Sequence, residues 1–83
     1  LNASSDRTFK ATKSALKAMR LEITKETIKE DVIQVMGNYT DGRTIWIDIR
    51  PLTEISSQIE LRVGAKGDKE AAKKILNKIK RYL

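Results

Sequence analysis

Asp48 and Glu60 are the residues whose type and spacing come nearest to chemistry, because strands joined by a short connection would set the two carboxylates side by side. Such a pair does acid–base work when a cleft or an apolar wall pushes one pKa away from the other. Here Arg50 and Arg62 are expected beside them on an open, solvated face, so ion pairing is the reading and catalysis is not. A second segment, Gly64-Ala65-Lys66-Gly67-Asp68, lies between a strand pattern and a helix pattern, where a phosphate loop would lie. It lacks the longer glycine–lysine–hydroxyl spacing, and an Asp at the helix cap occupies and repels the place of a phosphate. The segment reads as a turn followed by an N-cap.

The chain has no Cys and no His. Thiol nucleophiles, disulfides, imidazole bases and the usual zinc ligands are absent together. The sequence therefore points away from an enzyme and calls for no catalytic residue, metal or cofactor.

What remains is binding chemistry, beginning with charge. The net charge is +6, distributed as +4 over residues 1–20, −3 over residues 21–68 and +5 over residues 69–83. Lys10, Lys13, Lys17 and Arg20 line one edge of the first helix pattern; Lys73, Lys74 and Lys78 flank the last. Such residues are also what a well-solvated helix uses to cover apolar borders with its stems. The functional reading is attraction to an anionic surface, whether lipid headgroups, glycolipid phosphates, nucleic acid or an acidic protein. Trp46, the only tryptophan, and Met36 are expected together on the outer sheet face, either as a patch for a partner or with the indole lying over its neighbours' stems. Gly37 is expected to point inward opposite Ile45. It either lets a helix approach or leaves a pocket for an apolar ligand, lined by Phe9, Leu16, Ile47, Leu61 and Ile75.

These residues sit on elements that the periodicity supplies. Ser4, Ser5 and Asp6 offer caps for a helix over about residues 5–20, with Phe9, Thr12, Leu16 and Met19 at helical spacing. From Leu21 the period becomes two, through Leu21 and Ile23, Ile33 to Tyr39, Ile45 to Ile49, and Ile59 to Val63, giving four successive strands. Lys29-Glu30-Asp31 serves as the first turn and Thr53 to Ser57 as a looser third. At the middle turn, a two-residue Asp41-Gly42 loop would pair Ile45 with Asn38 and mix the faces. A three-residue loop, Thr40-Asp41-Gly42 with Gly42 left-handed, pairs Val35 with Ile47 and keeps Ile33, Val35, Ile45, Ile47 and Ile49 together on the buried face. Asp68 then caps a helix to about Arg81, whose stripe is Ala71, Ala72, Ile75, Leu76, Ile79 and Leu83. The expectation is one α+β domain over residues 1–83: a two-layer sandwich, α-β-β-β-β-α, with an antiparallel meander covered on one face by two helices. No run approaches the length of a membrane-spanning helix. A start at Leu1 without a methionine reads as a mature or trimmed product, with room for a targeting segment upstream.

The segment Ile59-Glu60-Leu61-Arg62-Val63-Gly64-Ala65-Lys66-Gly67-Asp68, followed by Ala72, Ile75, Leu76, Ile79 and Leu83, resembles the small bacterial envelope lipoproteins classed as a domain of unknown function. Some of that family are linked to virulence in intracellular pathogens. The resemblance covers the first helix, the Asp41-Gly42 hairpin, the Arg62-Val63-Gly64 strand end, the Gly67-Asp68 cap and the last helix. It implies an upstream signal, a lipidated cysteine and an envelope location, and it brings no catalytic residues. With it, the chain reads as a binding or structural module whose partner is an anionic lipid surface, an envelope protein or an apolar small molecule. The alternative is an intracellular nucleic-acid binder using the basic helical face. Stacking on the sheet is disfavoured, since Trp46 is the only aromatic there and Glu22, Asp48 and Glu60 share that face.

Overall fold

The computed structural model describes residues 1–83. Ser4 caps the first helix, α1 (Ser5–Ala18), its side chain accepting from the Arg7 N–H at 3.2 Å. Helical spacing of Thr8, Phe9, Ala11, Thr12, Ala15 and Leu16 buries one face. The helix closes earlier than the expected residue 20. Arg20 adopts φ 58°, its N–H donates to the Lys17 carbonyl, and Leu21 N–H reaches back to Leu16 O at 2.9 Å. These are the two bonds of a Schellman ending, with Leu16 and Leu21 both in the core to seal it. Arginine in a place that usually calls for glycine hides the stop from a sequence reading.

The four strands are β1 (Glu22–Ile28), β2 (Ile33–Asn38), β3 (Thr44–Thr53) and β4 (Ser56–Val63), in the order β1-β2-β3-β4 and all antiparallel. The middle turn is the expected three-residue loop. Asn38 pairs with Thr44, Val35 with Ile47, and Gly42 takes φ 87°. The first turn is tighter than expected, with Glu30 and Asp31 at its tip and Lys29 N–H donating to Val32 O. The third turn is also tight, correcting the looser Thr53 to Ser57 connection. Thr53 pairs with Ser56 across Glu54 and Ile55, and the Thr53 and Ser56 hydroxyls meet at 2.7 Å. Ser57 thereby becomes a fully buried strand residue.

The last helix, α2 (Lys69–Arg81), starts at Asp68, whose carboxylate accepts from the Ala71 N–H at 3.1 Å. Both helices pack on each other and on one sheet face, as alternation along the strands requires. Leu16, Ile45, Ile47, Ile49, Ile75 and Ile79 have no solvent contact, and Phe9 and Leu21 close the margin.

Gly37 does pair with Ile45 on the inner face, but it opens no pocket. In β1 the register slips between Ile23 and Lys25, leaving Thr24 as an extra residue. The bulge folds the Glu22 carbonyl into the place that a side chain on residue 37 would take. Only glycine admits that approach.

Candidate functional site

The helical layer carries most of the expected cationic residues in the open. Lys10, Lys17, Arg20, Lys73 and Lys74 are exposed and Lys78 is half-buried by its stem. Lys13 is engaged: its ammonium sits 4.3 Å above the Phe9 ring and 3.9 Å from Glu26 on β1. The other ion pairs of the molecule involve Arg43 and Arg50, so the remaining helical cations have no carboxylate partner. Lys80 and Arg81 belong to the same exposed set. The acidic residues of the two helices, Asp6 and Glu70, lie in first turns, where they suit the helix dipole.

The outer sheet face is built as parity predicts. Met36 lies opposite Trp46 and Trp46 opposite Arg62. Asp48 pairs with Glu60 across β3 and β4, and Arg50 reaches Asp48 at 3.7 Å. Arg62 departs from the expected ion pair. Its guanidinium stacks on the Trp46 indole at 4.5 Å, which covers the ring and leaves Trp46 half-buried. A shallow cleft of about 350 Å³ lies alongside, lined by Gln34, Trp46, Asp48, Glu60, Leu61 and Arg62. No group of three or more acidic residues is gathered closely enough to hold a metal ion.

The six residues expected around an apolar pocket do not line one. Phe9, Leu16, Ile47 and Ile75 are packed in the common core, and Gly37 is filled by the β1 backbone. Leu61 alone reaches a concavity, and it is at the edge of the sheet. There Ile59, Leu61, Ala72 and Leu76 form the apolar floor of a groove of about 340 Å³ between β4 and α2, with Lys69 and Lys73 at its rim.

Arg43 is the residue that sequence reasoning missed. Its guanidinium bonds Asp41 at 2.7 Å and Asp68 at 3.0 Å, and lies 5.5 Å from the Tyr39 ring centre. It ties the β2–β3 hairpin to the α2 cap. Backbone N–H donation from Arg43 first, then its side chain, holds the Asp41 carboxyl below its ordinary value. Asp68 is lowered first by the Ala71 N–H and then by Arg43. The Gly64 to Asp68 segment is therefore a structural clasp, with its carboxylate already partnered.

A family model described as a protein of unknown function, DUF3568, matches residues 1–82, which take in every helix and strand. The chain belongs to the DUF3568 family. No curated protein matches the sequence.

Within this DUF3568 domain three surfaces differ in what they offer. The outer sheet face is partly satisfied by the Arg62–Trp46 stack and the Arg50–Asp48 pair, with Glu60 left without a cation. The helical layer is unsatisfied in charge, and the β4–α2 groove is unsatisfied in apolar contact.

Proposed function

We propose that the domain is a non-enzymatic binding module of the bacterial cell envelope that rests its helical layer against an anionic membrane surface. The observation that carries this reading is the set of exposed, unpartnered cations, Lys10, Lys17, Lys73, Lys74, Lys80 and Arg81, on the helical layer. Basic residues near an anionic leaflet contribute about 1 kcal/mol each. A single acyl chain anchors only marginally, so such residues suit a tethered domain. The resemblance to envelope lipoproteins, some virulence-associated, supports that setting.

A second feature agrees. Ile28, Leu52 and Ile55 are 68%, 61% and 78% exposed at the end of the sheet shared by the first and third turns. Helix α2 starts at the opposite end, beside the hairpin held by Arg43, and its 13 residues run about 20 Å back along β4. Its last turn, with Lys80 and Arg81, is therefore directed toward the end that carries those apolar tips. Apolar side chains among cations are the composition that settles at a headgroup boundary.

Vesicle co-sedimentation tests the reading, comparing anionic with neutral lipid at low and moderate salt. Binding should require anionic lipid, weaken with salt, and be lost in the Lys10→Glu/Lys17→Glu/Lys74→Glu variant. Leu52→Ser/Ile55→Ser should weaken it without altering its salt dependence. Equal sedimentation with neutral vesicles would sink the proposal. So would retention on DNA at low salt with no affinity for anionic vesicles, since that outcome assigns the same lysines to nucleic acid.

A further inference from the structure

The outer sheet face carries no helix, and strand pairing sets its charges in a definite order. Side chains on that face fall in rows that cross the strands. Lys25, Met36, Trp46 and Arg62 make one row, and Thr27, Gln34, Asp48 and Glu60 make the next. The first row carries two cations and the second two carboxylates. Beyond the first stands Glu22, opposite Asn38, and beyond the second stands Arg50, opposite Gln58. From one end of the face to the other the rows are singly negative, doubly positive, doubly negative and singly positive, so the face as a whole is neutral.

Within one chain these charges are poorly matched. Asp48 and Glu60 lie directly opposite each other, where like charges repel. Arg50 reaches Asp48 only at 3.7 Å, Glu60 has no cation, and neither Lys25 nor Arg62 has a carboxylate. Arg62 lies over the Trp46 indole instead. The order of the rows matches them between two chains. A two-fold axis running across the strands, between the Trp46 row and the Asp48 row, turns a second sheet face onto the first. Each doubly positive row then meets a doubly negative one, and each outlying row meets one of opposite sign. Arg62 is set over Glu60 of the second copy, and Glu60 over its Arg62. Trp46 and Met36, both half-buried, flank the axis at the centre of the contact.

We infer that the outer sheet face docks on that of a second copy of this chain, about this two-fold axis. The remaining charge favours the same choice. Residues 1–20 carry +4 and residues 69–83 carry +5, so two helical layers repel each other, whereas the neutral sheet face does not oppose contact. Sheets pack about 10 Å apart and leave the helical layers outside, on opposite sides of the dimer. At about 0.15 M salt the screening length is about 8 Å, so repulsion between those layers is largely removed. Four strands about 4.8 Å apart and four rows about 7 Å apart present roughly 500 Å² per copy. A standard interface offers roughly 800 Å² per partner, so this dimer is weak and depends on its charged rows. Both helical layers stay uncovered, and the membrane reading and the dimer stand or fall separately.

Sedimentation equilibrium at about 0.15 M salt reads the association directly. The average mass should rise toward that of a dimer between about 20 μM and about 1 mM protein. Reversing the sign of one row tests the geometry. Lys25→Glu/Arg62→Glu makes both central rows negative and should leave the domain monomeric. Asp48→Lys/Glu60→Lys makes both positive and should do the same. An equimolar mixture of the two variants, each with unchanged circular dichroism, should dimerise again, because every central row then meets its opposite. A wild-type chain that stays monomeric at about 1 mM would overturn the inference, as would a mixture that stays monomeric. Dimerisation of either variant alone, as strong as that of the wild type, would also overturn it, since the contact then lies on another surface.

Discussion

The hydroxyl of Thr8 on α1 meets the hydroxyl of Ser57 on β4 at 2.8 Å, across 49 residues of sequence and with neither residue exposed to solvent. Thr12 adds a bond from its own hydroxyl to Thr8 O at 2.8 Å, so no buried side-chain polar atom is left without a partner. The pair pins the start of α1 to the strand that also receives Leu1. Polar contacts of this kind add little net stability while made and cost much more when half broken. Ser57→Ala should therefore lose about 1 to 2 kcal/mol by urea denaturation. Thr8→Val/Ser57→Ala should lose clearly less than the sum of the two single changes. Additive losses would mean that the two hydroxyls do not depend on each other.

Arg20 holds φ 58°, a conformation that costs a residue with a Cβ about 1 kcal/mol and costs glycine far less. Its backbone is fixed there by the two bonds that close α1, and its side chain is exposed and unpaired. Arg20→Gly should raise stability by about 0.5 to 1 kcal/mol, read as a higher urea midpoint with an unchanged slope. A drop in midpoint would show that the Arg20 side chain contributes more than its backbone costs.

The meander, its three-residue hairpin and both helices were legible because alternation and helical spacing act residue by residue. Val35 opposite Ile47 follows from parity alone. What was not legible depends on contacts between distant segments. Gly37 looks like missing volume until the Thr24 bulge brings the Glu22 carbonyl against it. Arg62 looks like a partner for a carboxylate until the Trp46 ring proves to be directly opposite. The groove beside Leu61 needs the placement of α2 over the end of β4, which no local pattern states. Arg43 needs both the hairpin and the helix cap to be in place before its two carboxylates converge. The lysines were legible as a set, and the structure separates Lys13, engaged with Phe9 and Glu26, from the others.

The Asp41–Arg43–Asp68 cluster gives stability a pH dependence of definite sign. Both carboxyls lie below their ordinary value of about 3.8 in the folded chain. Unfolding releases them to that value, so under acid the unfolded state takes up protons that the folded state resists. The contribution of the cluster is therefore complete well above about pH 4 and drains away as pH falls through the lowered folded values. It should not change between neutral pH and about pH 5. Arg43 stays charged throughout, so the loss comes from the carboxylates alone. Urea midpoints measured from pH 7 to pH 2.5 check this. The Asp41→Asn/Asp68→Asn variant keeps a side-chain acceptor at the α2 cap but has no charge to lose. Its midpoint should be lower at pH 7 and fall less steeply under acid. Added salt should narrow the difference between the two proteins at neutral pH, because Arg43 and Asp68 are partly open to solvent. Parallel acid limbs for the two proteins would place the acid sensitivity in other carboxylates and reduce the Arg43 clasp to a geometric contact.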